Sequence, residues 1–134
     1  MNKYLLDTNV VIQAHRNKSD AINRRILNSR EGEICLSTIV LHELYFGVYR
    51  SDRVHENGVE MERFTGSFTL LPYEASDARH AGDIRALLRG SGSTIGALDT
   101  LIAGQARARG LILVSGNLRE FARVPGLDVV DWTL

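Results

Sequence analysis

The sequence predicts an α/β fold, a three-layer sandwich in which a mostly parallel sheet of four or five strands is flanked by helices. Short apolar segments alternate with longer amphipathic ones along the 134 residues, which is typical of parallel strands joined by crossover helices. The apolar run at residues 4–6 stops abruptly at Asp7. A continuous apolar run followed by a turn indicates a central strand that is covered on both faces.

The elements follow in the order that this right-handed fold requires. Strands are expected at residues 4–6, 34–37, 68–71, 111–114 and 127–130. Helices are expected at residues 9–15, 55 to about 68, 76–90 (from Ser76 to Gly90) and 97–109, with a short helical turn at 117–123. Two more helices are expected to begin at a cap, one at Ser19 or Asp20 and one at Ser37 or Thr38. Leu27, Val59 and Leu87 are expected on the inner faces of their helices.

Composition and charge exclude several classes of protein. Sixteen basic and sixteen acidic residues balance, which argues against a non-specific nucleic-acid coat. No segment approaches the roughly 18 apolar residues of a membrane span, and the first strand begins too early for a signal peptide. The single cysteine, Cys35, excludes a disulfide framework and is expected to be buried in a strand. We therefore expect one cytoplasmic domain over residues 1–134.

Four polar residues are placed where strands or helices open onto one edge of the predicted sheet. Asp7 ends the first strand, Glu43 lies on the helix after the second, Asp99 begins the helix before the fourth, and Asn117 follows the fourth. If strands one and four are neighbours, these side chains share a crevice at the carboxyl ends of the strands. Like charges there would repel, and a divalent cation would remove the repulsion.

The donor types indicate which ion and which reaction. Oxygen ligands without cysteine or regularly spaced histidine favour Mg²⁺ or Mn²⁺ over zinc. One or two such ions activate water and stabilise the leaving oxygen in an in-line attack on phosphorus. Structural roles remain open for each residue: Asp7 or Asn117 as a helix cap, Asp99 as a first-turn acid, and Glu43 as a partner of Arg50 or another arginine.

Four segments, in this order and spacing, resemble the PIN-domain ribonucleases, and more narrowly the VapC-type toxins of bacterial toxin–antitoxin pairs. They are Leu-Asp-Thr-Asn at 6–9, Ser-Thr-Ile-Val-Leu-His-Glu-Leu at 37–44, Ile-Gly-Ala-Leu-Asp-Thr-Leu-Ile-Ala at 95–103 and Val-Ser-Gly-Asn-Leu-Arg-Glu-Phe at 114–121. The resemblance extends over essentially the whole chain. It implies a PIN-like sandwich and an endoribonuclease that depends on Mg²⁺ or Mn²⁺ and inhibits translation.

The resemblance also implies site residues and partners. The acidic positions of the family fall on Asp7, Glu43 and Asp99, and the fourth, often aspartate, falls on Asn117, which offers an oxygen but no charge. Supporting or substrate-contacting roles fall on Thr8, Asn9, Ser115 and Glu120. The implied partners are an RNA substrate, with tRNA including the anticodon loop of initiator tRNA expected, a second copy in a homodimer, and a cognate antitoxin in a hetero-oligomer.

Two other functions are compatible with the same pattern. A non-catalytic α/β protein-binding module would use the acids only as caps, and it would bind no divalent metal. A DNA nuclease of similar architecture would prefer DNA ends or flaps. The neutral isoelectric point of about 6.9 and the small size give no sign of a surface that grips a duplex, so we rank the DNA nuclease last.

Overall fold

Five strands and seven helices alternate along the chain in the computed structural model, which describes residues 1–134. The strands are β1 (Tyr4–Leu6), β2 (Ile34–Ser37), β3 (Thr69–Leu71), β4 (Ile112–Val114) and β5 (Val129–Val130). The helices are α1 (Thr8–His15), α2 (Asp20–Leu27), α3 (Thr38–Tyr49), α4 (Val54–Thr65), α5 (Ala75–Gly90), α6 (Ala97–Ala108) and α7 (Leu118–Phe121).

The strands form one sheet in the order β3-β2-β1-β4-β5, and every pairing is parallel. β1 is central, and Leu6 pairs with Val114 of β4. The predicted fold class is confirmed, and so is the neighbourhood of the first and fourth strands. Because all strands run the same way, their carboxyl ends meet at one edge of the sheet.

Helices cover both faces of this sheet. Leu5 and Leu6 point to opposite faces, since successive strand side chains alternate, yet neither is exposed to solvent. Cys35 of β2 is also fully buried, as the sequence indicated. These side chains belong to one apolar core of 25 residues. No helix combines the length and the hydropathy that crossing a bilayer requires.

The two edges of the sheet are connected differently. At the carboxyl edge the chain passes directly from β1 through Asp7 into α1 and from β2 into α3. The segments that lead back into β2, β4 and β5 each contain a glycine with a positive φ, at Gly32, Gly110 and Gly126. Glycine adopts this backbone conformation without steric cost. The tight turns that lead into these three strands therefore lie at the end of the sheet where the strands begin, its amino edge.

The start of α5 differs from the prediction. The helix is capped by Glu74 instead of Ser76, because the Asp77 carboxylate accepts a hydrogen bond from the Glu74 amide at 2.8 Å and completes a capping box. Asp77 is held in turn by Arg109, whose Nε and Nη2 donate to its two oxygens at 3.1 and 2.8 Å. This contact with the end of α6 fixes the first turn of α5.

Three apolar residues expected on inner helix faces are exposed. Leu27, Val59 and Leu87 expose 83%, 46% and 47% of their surface. Successive helix residues are rotated by about 100°, so Leu87 turns away from the buried stripe that Ile84 and Leu88 define in α5. Val59 lies two residues before buried Met61, which places it on the other side of α4.

The small residues of α6 serve a helix–helix contact. A Cβ atom on Gly104 would lie 2.7 Å from the backbone nitrogen and Cα of Ala81 in α5, closer than packed atoms approach. Ala103 and Ala106 are fully buried beside it. The closest approach of α6 is therefore to helix α5. This contact positions α6, whose first turn carries Asp99.

Candidate functional site

Asp7 lies at the carboxyl end of the central strand and begins α1. Its extended backbone makes it the N-cap residue, and its Oδ1 accepts a hydrogen bond from the Val10 amide at 3.0 Å. The Ser115 hydroxyl lies beside this carboxylate. Burial raises the pKa of Asp7, and the nearby Ser115 hydroxyl and the hydrogen bond from the Val10 amide offset this only in part. Asp7 is thus a helix cap, as one alternative held, and a buried acid at the crevice.

Glu43 reaches the same place from α3. Thr8, the first residue of α1, donates a hydrogen bond from Oγ1 to Glu43 Oε1 at 2.7 Å. Glu43 forms no ion pair, and Arg50 instead lies 5.3 Å from the ring of Phe46. The alternative in which Glu43 pairs with Arg50 is therefore wrong. Its charge adds to the repulsion that Asp7 experiences.

Asp99 brings a third carboxyl group from the first turn of α6. Its pKa is raised to about 7, first by burial and then by the adjoining Glu120, with smaller repulsions from Asp7 and Glu43. Without a bound cation, a carboxyl group with this pKa is partly protonated at neutral pH. A cation that binds beside it favours the charged form and displaces the proton. We call Asp7, Glu43, Asp99 and Glu120 the carboxylate cluster.

Glu120 and Asn117 connect α7 to the start of α6. Glu120 Oε1 accepts a hydrogen bond from the Gly96 amide at 3.3 Å, and its other oxygen accepts one from the Asn117 side-chain amide. The Asn117 backbone amide donates to Ser115 Oγ at 3.0 Å. Asn117 is exposed, and its side chain does not cap α7. The structure therefore joins Asn117 to the cluster through Glu120.

Asp131 is an acid near the site that the sequence analysis did not select. It follows β5, and its negative charge contributes to the raised pKa of Asp7. Its Oδ1 accepts hydrogen bonds from the Thr133 amide and hydroxyl at 2.8 and 2.5 Å. A usable signal existed, because Asp131 follows the last strand as Asp7 follows the first, and parallel strands end at the same edge.

A cavity of about 450 Å³ opens beside Asp7, on the side that faces α2 and the C-terminal residues. We call it the Trp132 pocket. Its lining is polar apart from Val10, Ile22 and Trp132, and Asn9 contributes to it from α1. Its residues are Asp7, Asn9, Val10, Gln13, Ile22, Gly116, Asn117, Asp131, Trp132 and Thr133.

The cluster has no positive side chain to balance it. The ion pairs of the protein join Arg53 with Glu56, Arg107 with Asp83, and Arg109 with Glu74 and Asp77, and none includes a residue of the cluster. Carboxylate and hydroxyl oxygens are the ligands that hard divalent cations prefer. No three His, Cys, Asp or Glu side chains lie in an arrangement that could hold a metal ion, so a shared ion at this cluster is a proposal and not an observation.

Comparison with known proteins supports the resemblance. The PIN domain family matches residues 4–127. The chain is 41% identical to a tRNA(fMet)-specific endonuclease VapC of Shigella flexneri over 99% of its own length and all of the relative's. It is 42% identical to ribonuclease VapC2 of Haemophilus influenzae, covering 98% of this chain and 99% of that one. A chain in a crystal structure of DNA-bound VapBC from Salmonella typhimurium matches with 41% identity and a TM-score of 0.92, covering 98% of this chain and 99% of that one.

Proposed function

We propose, from the premise that this chain belongs to the PIN-domain family and within it to the VapC ribonucleases, that it is the RNA-cleaving toxin of a toxin–antitoxin pair. The reaction is endonucleolytic hydrolysis of a phosphodiester. Relatives that are named as ribonucleases favour this function over a non-catalytic binding module and over a DNA nuclease.

One observation carries the proposal: four acids from separate segments, one buried and three half-buried, lie together without a counter-charge. Burial raises the pKa of Asp7 and of Asp99, the latter to about 7. Such an arrangement costs folding free energy, because each charged carboxylate loses water and repels the others. A binding site for a cation accounts for this cost, whereas a purely structural role would be better served by neutral residues.

Mg²⁺ or Mn²⁺ is the proposed cofactor, with Asp7, Glu43 and Asp99 as ligands. A bound divalent ion supplies charge neutralisation and polarises the phosphate and the attacking water. Asn117 is a weaker candidate ligand, because its side-chain oxygen carries no charge. Its amide nitrogen donates a hydrogen bond to Glu120, which leaves that oxygen available. The neutral side chain at this position reduces the charge that would hold a second ion.

The surrounding residues position the acids. The Val10 amide holds the Asp7 carboxylate in place, Ser115 lies beside it, and Thr8 fixes Glu43 nearby. Glu120 anchors the Gly96 amide at the start of α6, next to Asp99. We propose that Asn9, which is exposed at the mouth of the crevice, contacts the substrate. These contacts hold the acids ready before RNA binds, which limits the reorganisation needed during the reaction.

The substrate and partners are inferred from the relatives. A relative named for tRNA(fMet) cleavage makes tRNA the proposed substrate class, with the anticodon loop of initiator tRNA as the specific expectation. Toxin–antitoxin complexes among the matching structures make a cognate antitoxin the proposed partner. We further propose a homodimer that acts in the cytoplasm, with residues 1–134 working as one domain.

Substituting single carboxylates tests the proposed function. Asp7→Asn and Asp99→Asn remove a charge but keep the shape, so we expect RNA cleavage with Mg²⁺ to fall by roughly 100- to 1,000-fold. Circular dichroism and thermal unfolding should remain close to those of the wild type. Asp128→Asn is the matched control, because Asp128 is an exposed aspartate at the amino end of β5, and its cleavage rate should not change.

Two outcomes would contradict the proposal. Undiminished cleavage by either purified variant would show that the cluster does not perform the reaction. Faster hydrolysis of single-stranded DNA than of RNA by the wild-type protein would identify a DNA nuclease instead. Sequencing the RNA fragments formed during brief induction in cells then identifies the substrate within the RNA class.

A further inference from the structure

We propose that the Trp132 pocket binds the nucleotide next to the scissile phosphate and recognises its base, so that Gln13 is a specificity-determining residue. This inference rests on the proposed function. The pocket and the carboxylate cluster share Asp7, which lies in the wall between them. An RNA strand whose phosphate lies at the cluster therefore has an adjacent nucleotide within reach of the pocket.

The amide groups in the pocket are free to read a base. Asn9 and Gln13 are four residues apart on α1 and lie on the same face of the helix. Both line the pocket, and neither side chain takes part in the hydrogen bonds of the protein, unlike the neighbouring Thr8 hydroxyl, which donates to Glu43. A side-chain amide offers both a donor and an acceptor, the combination that pairs with a base edge.

The charge of the pocket selects a base over a phosphate. Asp7 and Asp131 both line it, and no lysine or arginine does. A phosphate would be repelled by these carboxylates, whereas the exocyclic amino group of a base donates a hydrogen bond to Asp131, which is not assigned to the cation. The occupant that fits is thus an uncharged base that carries an amino group, with its phosphate outside, toward the cluster.

The walls and the volume are suited to an unstacked base. The cavity of about 450 Å³ lies within the range of small-ligand pockets, roughly 300–1,000 Å³. Trp132 forms one wall and is held by an edge-to-face contact with Tyr4, at 5.0 Å between ring centroids. Only 3% of the surface of Trp132 is exposed, so the indole supports the wall from behind and offers no face for a base to stack on. A fixed wall lowers the entropy cost of binding.

The chain contains its own probe for this pocket, because Trp132 is the only tryptophan. Titration with short single-stranded RNAs of one base each, without divalent metal, should produce a saturable change in Trp132 fluorescence. We expect Gln13→Ala to weaken this binding by roughly three- to tenfold, the effect of losing one uncharged hydrogen bond. Asn2→Ala, an exposed amide at the opposite edge of the sheet, is the matched control and should bind as the wild type does.

Cleavage kinetics provide a second readout that a merely structural role would not change. With a cleavable RNA and Mg²⁺, Gln13→Ala should raise KM by a similar factor, change kcat by less than about twofold and relax the base preference beside the cut. Gln13 has no protein partner to lose, so the thermal unfolding of this variant should match that of the wild type.

The outcomes separate this inference from the proposed function. One outcome would overturn the pocket assignment and leave the function intact. Cleavage would depend on Asp99, but neither RNA affinity nor base preference would change in Gln13→Ala. Binding that depends on Gln13 without cleavage of any RNA would support the pocket and contradict the function. Loss of inhibition by the antitoxin, with RNA binding unchanged in Gln13→Ala, would assign the pocket to the antitoxin and overturn this inference.

Discussion

Two regions of the molecule bury aspartate side chains with opposite electrostatic results. Asp77, at the start of α5, is only 1% exposed. Burial raises the pKa of Asp77, but hydrogen bonds from Arg109 and from the Glu74 amide outweigh it and leave the pKa below its usual range. At Asp99 burial acts in the same direction, the neighbours are acids, and the pKa rises to about 7. Burial alone therefore does not distinguish the two aspartates. What differs is the counter-charge, which Asp77 has in Arg109 and Asp99 lacks.

The Asp77 region is complete without a ligand. Arg109 bonds both carboxylate oxygens, and its Nη2 also donates to the Pro72 carbonyl oxygen at 2.6 Å. These bonds connect the end of α6 to the start of α5 and to the residue after β3. The carboxylate cluster, by contrast, lacks a positive group from the protein. The first region stabilises the fold, and the second is the one for which we propose a bound cation.

The largest expected effect comes from breaking the complete region. Arg109→Ala leaves the Asp77 carboxylate buried without its cation and should lower the free energy of unfolding by about 3–5 kcal/mol. Denaturation with urea measures this loss. Arg53→Ala removes an exposed ion pair with Glu56 and should cost less than about 1 kcal/mol. Equal losses in the two variants would show that the Asp77 contact is not the stronger of the two.

A smaller effect should follow from adding the missing cation to the cluster. Mg²⁺ or Mn²⁺ at about 100 times its dissociation constant should raise the free energy of unfolding by about 2.7 kcal/mol. Asp99→Asn should abolish most of this gain, whereas Arg53→Ala should retain all of it. Thermal unfolding with and without the ion measures the difference. An equal gain in wild type and Asp99→Asn would place the ion elsewhere.

The smallest effect concerns pH in the absence of divalent ions. The pKa of Asp99 is about 7 in the folded protein and about 3.9 in an unfolded chain, so its protonated form stabilises the fold. That contribution is complete below about pH 4 and is lost as the pH rises through about 7. The pKa of Asp77 is lowered, so its contribution is present above about pH 4 and is lost as the pH falls below that.

Comparing wild type with Asp99→Asn isolates the first of these contributions. Between about pH 5 and about pH 8 the wild type should lose about 1 kcal/mol relative to the variant, a value reduced for solvent screening. Urea denaturation at the two pH values measures it. Parallel pH profiles of the two proteins would contradict the raised pKa of Asp99.

The sequence was sufficient to predict the features that depend on local pattern and topology. The apolar run before Asp7 and the run that ends at Val114 indicated two buried strands, because such strands are apolar on both faces, and the structure shows that they are neighbours. A parallel sheet then required the residues after these strands to meet at one edge. The convergence of Asp7, Glu43 and Asp99 could therefore be expected, although their roles in the reaction remain proposals.

Features that depend on distant contacts could not be predicted in this way. From the sequence, α5 could begin at Ser76 or at the capping box of Glu74 and Asp77. Arg109, more than thirty residues later, favours the capping box because it binds the Asp77 carboxylate. Asp131 resembles any exposed acid until the edge strand before it is placed beside β4. Leu87 is exposed because the burial stripe of α5 is set by its packing against α6, which periodicity alone does not reveal.

The placement of the glycine returns has a practical consequence. Gly32, Gly110 and Gly126 lie at the amino edge, remote from every residue to which a role in cleavage or base recognition is assigned. An affinity handle or fluorescent label inserted at the exposed Glu31 would leave the carboxylate cluster and the Trp132 pocket facing solution. Tethered there, the protein could be offered RNA and antitoxin in turn on a sensor surface without obstruction of either.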